Sequence, residues 1–395
     1  MIICTVYYQV MFNRYLEDHL PKESFFLFGP RQVGKSTMLQ HLKTILSIDL
    51  LNPEIQLNYS KDPSLLARQI ETLSDHGLIL IDEVQRVPKL LDIVQQSMEK
   101  SPEIKFALSG SSARKLRHGA SNLLGGRALY YTLHPLTRQE LGNHFDLEKV
   151  LRYGSLPKIW TLLLDNKIEL AEDFLRSYVT TYIREEIKSE ALVRNLQGFQ
   201  NFLDIAAANF SEQVNFSEAS RQCSVAYATI REYYSILEDT LVSFMLPPCL
   251  KSTRKRMSHA PKFYFFDNGV LRAILGVLKT QPSPIEFGRL FEQWIVQEVV
   301  RLNAYDKKDW KLSFWRTSHG AEVDLIIERG NQILCAIECK YKKNIARADL
   351  SGIQAYLEDH PNIPTFLVAP IDISQRINQT LIVSPKQLFT EINKL

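Results

Sequence analysis

From residue 24 to residue 131 short apolar runs alternate with longer stretches of helical periodicity, the pattern of parallel strands joined by crossover helices. Four segments read as strands: SFFLFG (Ser24 to Gly29), GLILID (Gly77 to Asp82), IKFALSG (Ile104 to Gly110) and RALYYTL (Arg127 to Leu133). The first three are almost uninterrupted apolar runs, as strands covered on both faces require. Pro88 suits the start of the helix after the second. Helical spacing governs Pro135 to Lys188 and again Gln197 to Asp239. Strands return from Lys262 onward as KFYFFD, LSFWRT, EVDLIIE, QILCAIECK and TFLVAP, with a helix over Phe287 to Asn303. The pattern predicts an α/β chain divided into residues 1–135, 136–190, 191–256 and 257–395, with soft boundaries near Glu190 and between Pro247 and Ser258.

At about 150 residues per domain, 395 residues exceed one core. A composition 45% hydrophobic and 23% charged excludes disorder and low complexity. Formal net charge is +3, too small for the whole surface to hold nucleic acid, so any such contact must come from local patches. The cysteines, Cys4, Cys223, Cys249, Cys335 and Cys339, are odd in number and lack zinc spacing; they read as reduced thiols. The first residues lack the features of a secretory signal, and no uncharged apolar run reaches about 18 residues, so a cytoplasmic protein without a membrane span is expected.

Residues 29–36 read GPRQVGKS, a full match to GxxxxGK[ST] between an apolar strand and a helical pattern. Gly29 and Gly34 permit a tight loop, and the amides of Pro30's followers Arg31, Gln32 and Val33 converge with them on phosphate oxygens at a helix start. Lys35 is predicted to reach the β and γ phosphates of ATP and the Ser36 hydroxyl to ligate magnesium, with Thr37 following on the first helical turn. The second strand ends in Asp82 and Glu83. Asp82 is expected to hold the magnesium through water, and Glu83 to polarise the water that attacks the γ phosphate. The third strand ends FALSGSS, which offers Ser109, with Ser111 as the alternative, to sense that phosphate.

The run FFLFGPRQVGKSTML, then LILIDEVQR, then FALSGSSARKL and LLGGRALYYTLHPLTRQEL resembles the bacterial and archaeal AAA-type P-loop ATPases that carry a C-terminal nuclease-like domain of unknown function. The resemblance covers nearly the whole chain and is specific over its first 140 residues. It implies a P-loop ATPase core at 1–135, a helical lid at 136–190, a winged-helix-like region at 191–256 and a nuclease-like domain at 257–395. It also implies a homo-oligomer in which an arginine of a neighbouring subunit completes the site; Arg127 is nominated, with Arg114 and Arg117 as rivals.

In the middle region, FSEASRQCSVAYATIREYYSILEDT reads as two helices around a tight turn near Cys223 and Ser224. Ala219, Val225, Ile230, Tyr233 and Leu237 would pack the pair, with Tyr227, Arg231 and Tyr234 facing outward toward DNA. The basic tract of Lys251, Arg254, Lys255 and Arg256 follows as a candidate phosphate clamp, although Glu232, Glu238 and Asp239 oppose DNA.

Toward the C-terminus, Asp324 lies on one strand, and Glu338 and Lys340 lie on the next. The arrangement resembles the PD-(D/E)XK nuclease core, to which Glu292 on the preceding helix would add its acid. Period two puts Glu338 and Lys340 on one face, and Asp324 joins them only if the connecting loop holds an odd number of residues, for instance Gly330 to Gln332. Converged, Asp324 and Glu338 would chelate magnesium while Lys340 orients water. His259 and His319 are isolated and read as structural.

Overall fold

The structure, a computed structural model, describes residues 12–73, 75–111, 124–183, 195–249 and 260–395. Arg114, Arg117, His259 and the tract of Lys251, Arg254, Lys255 and Arg256 lie outside the described residues. The chain divides into two units, the first Met1–Phe145, Leu156–Ala171 and Asp239–Val242, the second Asp146–Ser155, Glu172–Glu238 and Ser243–Leu395.

The first unit is built on β1 (Phe25–Phe28), α1 (Lys35–Gln40), β2 (Leu46–Asp49), α2 (Pro53–Lys61), α3 (Leu65–Glu71), β3 (Leu78–Asp82), α4 (Leu90–Lys100), β4 (Lys105–Gly110), β5 (Leu129–Thr132) and α5 (Arg138–Leu141). Its five strands form one parallel sheet in the order β2-β3-β4-β1-β5. All four predicted strands of this region are present. The fifth, β2, was not foreseen: LSID buries only Ile48 fully and carries no apolar run. Burial of β1, β3 and β4 on both faces follows from their composition, with Phe26, Ile81, Phe106 and Leu108 packed against Leu90 and Val94 of α4 in one cluster. Because β4 is inserted between β1 and β3, the loop leaving β1, the end of β4 and the end of β3 lie side by side along one sheet edge.

In the second unit, α6 (Leu147–Tyr153) precedes α7 (Pro157–Leu164), which belongs to the first unit; α8 (Ile168–Ser177) runs across the division and continues into a π-helical turn over Tyr178–Ile183. The residues of the expected lid, 136–190, are thus divided between the two units. Residues 146–155 go with the second unit because the Ser155 amide donates to the buried Asp267 carboxylate at 2.7 Å, where Gly154 leaves no room for a side chain.

Next come α9 (Leu196–Ala208), α10 (Phe216–Cys223) and α11 (Tyr227–Asp239), then an antiparallel pair, β6 (Ser243–Leu246) and β7 (Lys262–Phe265). Ser224 turns the chain between α10 and α11 with a left-handed φ. Ala219, Ile230, Tyr233 and Leu237 are buried as expected, and Tyr227 and Arg231 are exposed. Tyr234 is not outward: it lies four residues after Ile230, on the buried face, against the rings of Phe202, Phe216 and Phe263 at 4.7, 5.5 and 4.9 Å.

The unit ends with α12 (Asn268–Ile274), α13 (Pro284–Asp306), β8 (Trp310–Arg316), β9 (Glu322–Arg329), β10 (Gln332–Cys339), α14 (Ser351–Asp359), β11 (Thr365–Val368), β12 (Gln375–Ile377), β13 (Thr380–Val383) and α15 (Pro385–Ile392). The six strands form a mixed sheet in the order β12-β13-β11-β10-β9-β8. The β9–β10 hairpin corrects the parity expectation: Arg329 pairs with Gln332, so the turn holds two residues. An irregularity between Ile333 and Cys335 then inserts one residue, and Ile337 pairs with Leu325. Continued by one step, that register sets Asp324 opposite Glu338, on the same face.

Gly352 of α14 packs so closely on β9 that a Cβ would collide with the Glu322 carbonyl oxygen. Gly352→Ala is expected to lower unfolding free energy by about 1–3 kcal/mol, the usual range for overpacking, read from chemical denaturation.

Candidate functional site

The loop after β1 has the geometry its glycines predict. A Cβ on Gly29 would collide with the Leu133 carbonyl oxygen, and Gly34, at φ +96°, caps α1 in the left-handed region. Lys35 is only 5% exposed, and its ammonium donates to the Gly29 and Pro30 carbonyls at 2.8 and 3.0 Å. A cation thus sits within the curve of the loop at a helix start, an arrangement that fits a phosphate. Val33 is buried, Arg31 and Ser36 are partly buried, and Gln32 and Thr37 are exposed.

Beside this loop, Asp82 and Glu83 are both buried at the end of β3. The Ser109 hydroxyl donates to Asp82 Oδ1 and accepts the Glu83 amide at 2.9 Å. Without nucleotide the hydroxyl serves the neighbouring acid and holds it in position. Gln85 donates to Glu83 Oε2 and to the Ser111 hydroxyl, the latter at 3.3 Å. Glu83 has a φ of +58°, a conformation that costs a non-glycine residue of order 1–3 kcal/mol and concentrates at active sites. Ser36 and Asp82 are the residues that could hold magnesium here.

Sequence reasoning missed Arg14. Buried, it donates to the Val33 carbonyl in the loop, to the His134 carbonyl at 2.6 Å and to Glu140 Oε1 at 2.9 Å. Glu140 in turn closes a capping box with Thr137 at the start of α5. Thr137 and Glu140 at capping-box spacing were visible in the sequence; their tie to Arg14, 126 residues away, was not.

Arg127 stands before β5, at the sheet edge opposite the loop, because β5 runs parallel to β1. It is 44% exposed and pairs with Glu99 at 2.9 Å, so it does not enter the site of its own subunit.

Residues 21–142 match the AAA domain. The matched segment is an AAA domain of the P-loop kind. Residues 144–281 and 287–389 match two domains of unknown function, DUF8612 and DUF4143. The chain is 28% identical over 309 residues to the uncharacterized proteins Mb2031c of Mycobacterium bovis and Rv2008c of Mycobacterium tuberculosis, covering 76% of this chain and 67% of each relative. Among solved structures it is similar to the ADP form of the Aeropyrum pernix ORC2 protein, at 11% identity, TM-score 0.34, over 65% of this chain and 88% of that one. It is also similar to Thermococcus gammatolerans McrB from AAA+ hexamers with bound McrC, at 14% identity, TM-score 0.22, over 50% and 52%. At such scores the assignment of the first unit rests on its own matched residues, sheet order and loop.

The second unit carries the C-terminal cluster. Asp324, Glu338 and Glu292 are brought together, and Lys340 donates to Glu338 Oε1 at 2.6 Å. Four residues that sequence reasoning did not single out complete it. The Lys262 ammonium, 3% exposed, lies 2.9 Å from Glu292 Oε1 and 3.4 Å from Asp324 Oδ1 and also contacts Glu322. Tyr264 donates to Glu292 Oε1 at 2.7 Å, and Arg316 reaches Glu322 Oε2 at 3.2 Å. Asp324 Oδ2 accepts the Cys339 amide at 2.9 Å, while Glu338 Oε2 is buried without a hydrogen-bond partner.

Burial pushes the Glu292 carboxyl up to about 7, against the pull of Lys262. Burial, then Asp324, likewise raises Glu338. For Lys262 burial acts downward, but Glu292, Tyr264, Asp324 and Glu322 outweigh it and hold the ammonium well above the usual lysine range. The magnesium expected on Asp324 and Glu338 does not fit: the ammonium stands on Asp324 Oδ1, and a backbone amide takes the other oxygen. Among the described residues no group of three or more His, Cys, Asp or Glu side chains is arranged to hold a metal ion. Nor is any described helix long and apolar enough to cross a membrane.

Two outcomes follow. Arg14→Ala leaves Glu140 buried without its cation and is expected to cost about 3–5 kcal/mol in denaturant unfolding, as when one partner of a buried pair is removed. Glu292 titrates near 7 in the fold against its ordinary 4.5, so the folded state holds the extra proton between those values and stability falls as pH rises from about 4.5 to 7. Thermal melts across that window should show a shallower fall in Glu292→Gln.

Proposed function

We propose that this protein is a magnesium-dependent ATPase whose nucleotide state governs a DNA-contacting C-terminal half with a nuclease-like core. The observation that carries the ATPase reading is the Ser109 hydroxyl, bonded at once to the Asp82 carboxylate and the Glu83 amide on the strand next to the phosphate-binding loop. The loop amides and Lys35 bind the β and γ phosphates, the ammonium exchanging its contacts with the Gly29 and Pro30 carbonyls for phosphate oxygens. Ser36 and Asp82 hold magnesium, which supplies neutralising charge to the phosphates. Glu83 orients and polarises the attacking water, its carboxylate steered by Gln85. An arginine of a second copy completes the site; Arg127, exposed and paired only at the surface with Glu99, is the described candidate.

The DNA part is supported by element order. Three helices, α9 to α11, are followed by the β6–β7 pair, and the chain joining those strands contains Lys251, Arg254, Lys255 and Arg256. Tyr227 and Arg231 lie on the exposed face of α11. A second reading of the core as a module that binds without cleaving is favoured by Lys262, which neutralises the acids that strand cleavage would need.

The test is phosphate release from ATP and magnesium, with duplex DNA retention measured in ATP and in ADP. Wild type should release phosphate; Lys35→Ala should not; and Glu83→Gln should be slower by about 10²–10⁴-fold while still binding nucleotide. DNA retention should differ between the nucleotides and weaken steeply with salt. Release that persists in Lys35→Ala refutes the ATPase reading, and retention indifferent to nucleotide refutes the coupling.

A further inference from the structure

The C-terminal cluster holds its carboxylates together with a cation that belongs to the chain. Lys262, the first residue of β7, sends its ammonium between Glu292 of α13 and Asp324 of β9, with Glu322 on a third side and the Phe314 ring 5.6 Å away. Tyr264, two residues on and so on the same strand face, donates to the Glu292 oxygen that the ammonium also contacts. Glu292 Oε1 and Asp324 Oδ1 thus already serve an internal cation, whereas Glu338 Oε2 has no donor.

Magnesium demands near-octahedral oxygen ligation at roughly 2.0–2.1 Å. Bound through Asp324 Oδ1, it would stand within a few ångströms of the buried ammonium, and two such charges repel strongly where water is excluded. We propose that Lys262 is the resident cation of this cluster, takes the place a divalent ion would need, and so makes the C-terminal core independent of metal. The inference deepens the C-terminal part of the proposed function and leaves the ATPase part untouched. It also explains how four acids, Glu292, Glu322, Asp324 and Glu338, converge when no described group is arranged as a metal site.

The experiment is a titration of full-length protein with Mn2+ in the absence of nucleotide, the free ion read by electron paramagnetic resonance. Wild type and Asp324→Asn should bind alike. Lys262→Met should gain one site at least tenfold tighter than any in wild type, and Lys262→Met with Asp324→Asn should lose it. A site in wild type that Asp324→Asn removes overturns the proposal, as does a folded Lys262→Met protein that gains none. Circular dichroism reports folding of each variant; where Lys262→Met does not fold, the comparison of wild type with Asp324→Asn decides alone. Phosphate release from ATP on the same wild-type sample reports separately on the first unit, so failure of one reading is not mistaken for failure of the other.

Discussion

A carboxylate at the end of a strand buried on both faces has lost its water and must find donors or cations within the protein, and both units are organised around that requirement. In the first, the insertion of β4 between β1 and β3 delivers Ser109 to Asp82 and to the Glu83 amide. A hydroxyl suits this position because it donates to one group and accepts from the other. A lysine there would satisfy Asp82 by charge, and so compete with the magnesium proposed to share the same acid. The choice of a neutral partner keeps the carboxylate's negative charge available.

In the second unit the same requirement is met with charge. Four acids face Lys262, Arg316 and Lys340, and the most central of these cations is the most deeply buried. The two solutions differ in charge: one carboxylate group is met by a neutral hydroxyl, the other by an internal ammonium. The burial that raises Glu292 and Glu338 is the cost that remains where cations are fewer than acids.

How much of this was legible depended on the range of the interaction. The phosphate-binding loop, its strand and the Asp-Glu strand could be read directly because parallel buried strands are continuous apolar runs and the loop is local. LSID of β2 could not, having one buried side chain and no run. The facing of Asp324 and Glu338 was legible only as a condition on loop parity, and it is met by another route: an even turn and one inserted residue give the same parity as an odd turn, and a bulge in QILCAIEC leaves no mark in the alternation. Tyr234 was misplaced because two adjacent tyrosines on a helix can both reach a buried face when that face is wide, and helical spacing alone assigns it to one. Arg14 and Lys262 were invisible for a simpler reason. Their side-chain partners lie 126 residues away for Arg14 and 30 and 62 for Lys262, and nothing local distinguishes such a residue from a solvated one.

A lysine in this position is a structural commitment as well as a charge. Replacing a buried ion pair by apolar residues is often neutral, so net stability is a poor reason to keep one, whereas removing one partner is costly. Lys262 ties the small β6–β7 sheet to α13 and β9 through acids on both, and the chain after β6 is stitched to β8 by the Phe314 amide on the Pro247 carbonyl at 3.0 Å. Register is what such a pair secures: a shift of β7 by one residue would turn Lys262 and Tyr264 away from Glu292 together and bury Phe263 among the acids. The ammonium therefore selects one packing of the small sheet on the C-terminal core. The strand that follows the basic tract is by that means fixed in place, whatever the tract itself contacts.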